Sequence, residues 1–255
     1  MSQRPKRSSK KSVSRTTKLA FWLQRAHPTT CEIAALVGYD IVLIDMEHGA
    51  IGIEAADELV VGAKRVGLTV YVRVSHSERV PIQYALDSGA DGVILPQLQN
   101  VDHARVATAY AKYPRLGTRG VGFSRTHDYA GTPHNFTNRE NRRARCFAMI
   151  ETPGALADAE AIAALPTVDG LFVGPADLSM TRGRGSVQGN AADQRDWRHA
   201  AQAASAVGKP WAIPAHDPAS LQFARRYRAE FVTISDDLSA IRQGFLDALA
   251  MAGRG

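Results

Sequence analysis

The chain has 255 residues, 45% hydrophobic and 22% charged, a composition that excludes fibrous, collagen-like and wholly disordered classes. No window carries the roughly 18 uninterrupted apolar residues of a membrane span, and two cysteines, Cys31 and Cys146, make neither a disulfide framework nor a Cys-rich zinc site. The net charge of +6 is misleading until it is located, because seven of the 31 Lys and Arg lie in residues 1–18, which hold no acid. The remainder carries 24 basic against 25 acidic residues and is close to neutral, at −1.

Residues 1–18 are basic, Ser-rich and nearly free of apolar side chains, so they cannot bury enough surface to offset ordering entropy. We expect a disordered tail there and one folded domain over 19–255. The tail has no apolar core of a secretory signal. Phosphate contact through the tail is conceivable, but neither nucleic acid nor a membrane is the expected partner. The cysteine usage points to a reducing, cytoplasmic setting.

From residue 19 short apolar runs alternate with helical patterns. Strands are predicted at 19–23, 41–46, 69–74, 92–95, 146–150, 170–173, 210–213 and 231–234. Helices are predicted at 30–37, 54–66, 80–88, 101–113, 154–165, 191–207, 219–227 and 238–251, most with apolar residues at three- and four-residue steps. IVLIDM, GVILP and GLFVG are near-continuous apolar runs, as strands buried on both faces require. Eight strand–helix units predict an α/β protein, a closed (β/α)8 TIM barrel, with an open doubly wound sheet as the alternative. No G-x-G-x-x-G follows a strand, so the dinucleotide fingerprint is absent. The stretch 114–141 is out of pattern: rich in Gly, Arg, Asn, Thr and His, and long enough for functional work.

Barrel enzymes place their chemistry at the C-terminal ends of strands. Those ends here carry Asp45, Glu47 and His48, then Arg73, Pro96-Gln97, Glu151, Gly174-Pro175-Ala176-Asp177, His216-Asp217 and Asp236-Asp237. Any one acid could instead be a helix N-cap, and Asp177 and Asp217 both fit that plainer role. As a set they carry chemistry. Glu151 and Asp177, from adjacent strands, suit a divalent ion with hard oxygen ligands. Arg73 offers a planar cation to a carboxylate or a developing enolate, and His48 is a proton carrier near neutral pH. That set matches enolisation of a 2-oxo acid. His127 and His134, in the long stretch, could reach a substrate. Arg119 and Arg125 there either recognise an acidic acceptor or mark a tight turn. Trp22 is read as core packing or as a wall of the pocket. Trp197, Trp211 and the two cysteines are read as packing.

At these residues the sequence resembles the HpcH/HpaI aldolases, the metal-dependent (class II) pyruvate aldolases. The matching pieces are GYDIVLIDMEHG (38–49), VRV (72–74), ALDSGADGVILPQLQN (85–100), YPRLGTRGVG (113–122), AMIET (148–152) and VDGLFVGPADLS (168–179), in family order. The resemblance implies a (β/α)8 barrel, commonly a hexamer whose last helix is swapped between subunits. It implies metal ligation by Glu151 and Asp177, with magnesium, manganese or cobalt as the ion. The implied catalytic set is His48 and Arg73, with Asp45 supporting the hydrogen-bond network and Asp87 pairing with the histidine of an adjacent subunit. Arg73 and backbone around Ala176 would bind the substrate, and Met149 stands where some members carry Gln in the substrate pocket. The stretches RAEFVTISDD and MTRGRGSVQG depart from the family pattern. The expected activity is therefore cleavage or formation of a carbon–carbon bond between pyruvate enolate and an aldehyde. The departures leave room for a citrate-synthase-like condensing enzyme of siderophore biosynthesis. From a different class, a non-catalytic barrel whose basic tail binds nucleic acid or a partner is the third alternative.

Overall fold

A computed structural model describes residues 17–253 of the chain. The expected disordered tail lies outside the described residues except for Thr17 and Lys18. Lys18 opens the first strand, one residue before the predicted strand at 19–23.

Eight parallel strands close into a barrel in sequence order. They are β1 (Lys18–Leu23), β2 (Ile41–Asp45), β3 (Thr69–Arg73), β4 (Gly92–Leu95), β5 (Arg145–Ile150), β6 (Gly170–Val173), β7 (Trp211–Pro214) and β8 (Phe231–Asp236). The seam joins Lys18 to Phe231 and Trp22 to Asp236, with a register shift between Ala20 and Phe21. Outside them run α1 (Pro28–Val37), α2 (Ile53–Arg65), α3 (Arg79–Asp87), α4 (Val101–Ala109), α5 (Phe136–Arg143), α6 (Pro153–Ala157), α7 (Ala159–Ala164), α8 (Pro175–Thr181), α9 (Ala191–Ala206), α10 (Pro218–Arg226) and α11 (Asp237–Met251). The predicted helix at 154–165 is broken at Asp158, whose carboxylate accepts from the Val101 N–H at 2.9 Å. No helix among the described residues is long and apolar enough to cross a membrane.

The apolar runs split by parity, because successive strand side chains point to opposite faces. On β2, Val42 and Ile44 join the layer under the helices, while Ile41 and Leu43 face the barrel interior. The interior also holds Ala20, Trp22, Tyr71, Ile94, Phe147, Met149, Phe172, Ala212 and Phe231. It is an aromatic plug. Tyr71 stacks on Phe231 at 5.4 Å, and Trp22 meets Phe172 edge-on at 5.7 Å. Each buried ring stabilises the fold by about 1.5–3 kcal/mol. Continuing the inward parity past this plug brings up Asp45, Arg73 and Glu151. The same alternation that fills the barrel therefore sets polar groups at its mouth.

Trp22 is a core residue that also forms the seat of the mouth, with the Arg73 guanidinium 4.5 Å above its ring. Trp197 and Trp211 pack on Phe223. Both cysteines are buried, and burial pushes both thiols up in pKa, Cys31 to about 11. The last helix is unlike the others. Of α11 only Asp237 is buried, while Ile241, Phe245, Leu246, Leu249 and Met251 are exposed. The outer face of α1 likewise exposes Ile33, Leu36 and Val37.

Candidate active site

The EHG turn after β2 is built by Asp45. Its carboxylate is fully buried, and its Oδ1 accepts from the backbone N–H groups of Glu47 (3.1 Å) and His48 (3.2 Å). A Cβ on Gly49 would lie 2.1 Å from the Asp45 carbonyl oxygen, so only glycine closes this turn against the end of β1. Asp45 also takes Arg73 in a fork, Nε to Oδ1 at 2.9 Å and Nη2 to Oδ2 at 2.6 Å. Burial pushes the Asp45 carboxyl up, but the Arg73 hydrogen bonds and charge outweigh it and hold the group below its usual range. A bidentate Arg–carboxylate pair is both strong and directional. Asp45 thus orients the arginine side chain and the histidine backbone together.

Glu151 follows β5 and is completely buried. Its Oε1 accepts from the Gln97 N–H at 2.6 Å, and its Oε2 is buried without a hydrogen-bond partner among the described residues. Gln97 adopts a left-handed backbone with φ of 55°, a conformation that costs a non-glycine residue free energy and here aims its N–H at the carboxylate. Burial pushes the Glu151 pKa up to about 7, the Gln97 N–H opposes, and the charges of Glu47 and Asp177 add to the rise. A Cβ on Gly174 would stand 2.6 Å from Glu151 Cβ, 2.7 Å from its Oε2 and 2.9 Å from Met149 Cε. Glycine at the end of β6 is therefore what makes room for the acid.

Asp177 lies in the first turn of α8, whose N-cap is Gly174. Asp177 is half-buried and is not the helix cap; the plainer role does belong to Asp217, which makes a capping box with Ser220. Ala176 is exposed in that same first turn, where backbone N–H groups have no intrahelical acceptor. Met149 is buried just beneath, in the top of the plug.

The structure thus brings Asp45, Arg73, Glu151 and Asp177 together over the plug, with Met149 below and Ala176 at the rim. His48 stands at the edge with its side chain 57% exposed. Asp87 is not part of this group within the chain. It ends α3 and pairs with Arg119 at 2.5 Å, beside a cleft of about 640 Å³ between α2, α3 and the long loop. The possible reading of Arg119 as an acceptor-binding residue is corrected, because its side chain is wholly buried. Arg125 is likewise engaged, with Asp57 at 2.6 Å and the Ser88 carbonyl at 2.8 Å. His127 is buried and stacked on Phe136 at 3.9 Å, so it is a core residue and not a substrate contact.

Two members of the group were named as strand-end residues but given no role. Glu47 lies between Arg73 and His48, its Oε2 3.2 Å from Arg73 Nη1 and 3.8 Å from His48 Nε2, outside hydrogen-bond geometry to any partner. Burial raises its pKa, Arg73 and His48 oppose, and Asp45 and Asp177 add to the rise. Gln97 is the other. Both stand at strand ends; the inward parity of Asp45 points to Glu47, while Gln97 acts through its backbone N–H, which sequence does not reveal.

Among the described residues, no three His, Cys, Asp or Glu side chains converge closely enough to hold an ion by themselves. The donor set nevertheless fits a hard cation. An unpartnered, buried carboxylate oxygen on Glu151, with Glu47 and Asp177 raising its proton affinity, is a site that gains from positive charge. Two protein carboxylates would leave the remaining positions to substrate and solvent oxygens.

The sequence profile of the HpcH/HpaI aldolase/citrate lyase family matches residues 18–236, the whole of the barrel. The chain belongs to this family. Among HpcH/HpaI relatives, the 4-hydroxy-2-oxovalerate aldolase of Novosphingobium aromaticivorans is 33% identical over 91% of this chain and 88% of its own length. The 2-dehydro-3,6-dideoxy-6-sulfogluconate aldolase of Pseudomonas putida is 37% identical over 65% of each chain. The HpcH/HpaI aldolase structure from Desulfitobacterium hafniense superposes with a TM-score of 0.86 at 27% identity, over 94% of this chain and 93% of that one. These relatives are aldolases, and aldolases are lyases.

Proposed function

We propose that this HpcH/HpaI protein is a divalent-metal-dependent (class II) pyruvate aldolase acting on 4-hydroxy-2-oxo acids. The observation that carries the reading is Glu151: a buried carboxylate with one free oxygen, beside Asp177 and facing Arg73. Glu151 and Asp177 would hold the cation, which when bound polarises the ketone of the 2-oxo acid.

The chain's own residues do the rest. The Arg73 guanidinium has five N–H groups. Asp45 takes two and Glu47 lies against a third nitrogen, so at least two N–H groups remain for the substrate. They stabilise negative charge on the enolate oxygen as it develops, from a guanidinium already fixed by Asp45. His48 accepts the proton of the 4-hydroxyl as the C3–C4 bond breaks and the aldehyde leaves. It then returns a proton to C3, which becomes the methyl group of pyruvate. Condensation is the reverse. Backbone N–H groups near Ala176 receive the substrate carboxylate, and Met149 forms the apolar floor beneath it. Asp87 of a neighbouring copy orients His48.

We also propose a cytoplasmic homo-oligomer, a hexamer in which α11 is exchanged between copies. The exposed apolar face of α11 and the exposed Ile33, Leu36 and Val37 of α1 support it, because both gain when covered.

The reading is tested by assaying a panel of 4-hydroxy-2-oxo acids, with acetyl-CoA plus oxaloacetate included for citrate formation. Exhaustive chelation is expected to abolish turnover, and adding magnesium, manganese or cobalt to restore it. Borohydride with substrate should leave activity intact, since no lysine Schiff base forms. R73A should be inactive. Turnover that survives chelation overturns the metal-dependent mechanism, and citrate formation without aldol cleavage overturns the substrate class.

A further inference from the structure

The long connection 114–141 contains a buried charge that the site described above does not use. A Cβ on Gly117 would lie 2.3 Å from the Ala109 carbonyl oxygen and 2.5 Å from that of Lys112, so the chain turns tightly against the end of α4. The next two residues are fixed there as well: the Thr118 N–H donates to Ala109 O and the Arg119 N–H to Lys112 O, both at 2.8 Å. The Gly120 N–H then donates to Gln83 Oε1 on α3. Arg119 therefore leaves a backbone held on both sides.

Its side chain lies over the Tyr113 ring at 4.6 Å, wholly buried. Nη2 donates to Asp87 Oδ1, while Nε and Nη1 have no hydrogen-bond partner among the described residues. His127, held by Ser124 Oγ at 3.1 Å from Nδ1 and by Phe136, closes the space behind. Burying a guanidinium with most of its donors unmet is costly. A pair serving only to stabilise the loop would satisfy more of them. Here the one satisfied contact goes to Asp87. Arg125, donating to Ser88 O, holds the adjacent residue. Among the described residues Asp87 Oδ2 accepts no hydrogen bond, and the side chain is 28% exposed at the cleft that Met46 and Tyr129 also line.

We propose that Arg119 is a positioning residue for Asp87: it locks one carboxylate oxygen and so presents the other outward in one orientation. This rests on the reading above, in which Asp87 orients His48 of a neighbouring copy. The long loop then has a definite task, to deliver one cation beneath the end of α3.

The test is a double-mutant cycle on the assembled, metal-loaded protein with R119M, D87N and the double variant, reading kcat and KM separately. Loss of such supporting partners typically costs about 10- to 100-fold, and R119M is expected to lower kcat in that range with KM for the 2-oxo acid within about twofold. The double variant should be no slower than D87N alone, and R119K, which keeps the cation, should recover most of kcat. If R119M does not fold or assemble, R119Q keeps an N–H donor in the buried site and completes the same cycle. Wild-type kcat in R119M with a slow D87N overturns the proposal and leaves the role of Asp87 standing, as do losses that multiply in the double variant. Wild-type kcat in D87N overturns both.

Discussion

Replacing Glu151 by glutamine should make the metal-free protein more stable at alkaline pH, although it removes a central residue of the site. The acid has an ordinary pKa of 4.5 and a folded-state value of about 7, raised first by burial and then by Glu47 and Asp177. A carboxyl with a raised folded pKa binds its proton more tightly in the native state. Its protonation therefore favours the fold below pH 4.5, and that advantage is lost progressively as pH rises from 4.5 to 7. At about 1.4 kcal/mol per pH unit, the gap amounts to about 3 kcal/mol. In E151Q the amide oxygen can still accept from the Gln97 N–H, so the contact that holds Oε1 in place survives. Urea unfolding in excess chelator, at one protein concentration, measures the effect. Wild type and E151Q should nearly match at pH 5, and E151Q should be more stable by about 2–3 kcal/mol at pH 8. Magnesium should then restore wild type at pH 8 and leave E151Q unmoved, since only the native carboxylate gains from the ion. Parallel stability curves for the two proteins from pH 5 to 8 would refute the argument that Glu151 is a strained, desolvated acid.

Three further outcomes follow from the geometry. G174A inserts a Cβ 2.6 Å from Glu151 Cβ and 2.7 Å from its Oε2, so it should lower metal affinity and kcat by at least tenfold, read by calorimetry and turnover, while the far-UV spectrum is unchanged. D45N keeps the size of the group but loses the charged fork to Arg73, and should raise KM for the 2-oxo acid and lower kcat by about 100-fold, approaching R73A. F245E with L249E puts two charges on the exposed face of α11 and should reduce the assembly to smaller species in light scattering, with the circular-dichroism spectrum of the barrel retained.

The strands are legible in the sequence because parallel-barrel strands are buried on both faces, and runs such as IVLID and GLFV have few other uses. Their ends are legible for the same reason: the first polar residue after such a run is where the barrel opens. Asp45, Arg73 and Glu151 follow from that rule alone, and Asp177 from the strand-end pattern one turn further on. The helix α5 is not legible, because FTNRENRR buries only Phe136 and Glu140 and has no apolar period to read. Helix α8 is short and starts on the Gly-Pro that reads equally well as a loop. The break between α6 and α7 depends on Asp158 reaching Val101, a contact 57 residues away. Gln97 matters through its backbone N–H and its φ, neither of which a residue type announces. Glu47 was visible as a strand-end acid, but its place between Arg73 and His48 is set by the turn that Asp45 builds. Arg119 shows the opposite failure. An arginine in a polar loop reads as a surface group, and only the tertiary fold buries it.

The aromatic plug has a kinetic consequence. With Trp22, Tyr71, Phe147, Phe172 and Phe231 buried across the barrel below, the mouth is backed by packed side chains. A molecule that reaches Glu151 over the strand ends would leave by the same way. If the 2-oxo acid end of the substrate lies innermost, the aldehyde fragment stands between it and the exit. On the proposed reaction the aldehyde would then leave first and pyruvate last, and pyruvate left behind would compete with the next incoming molecule.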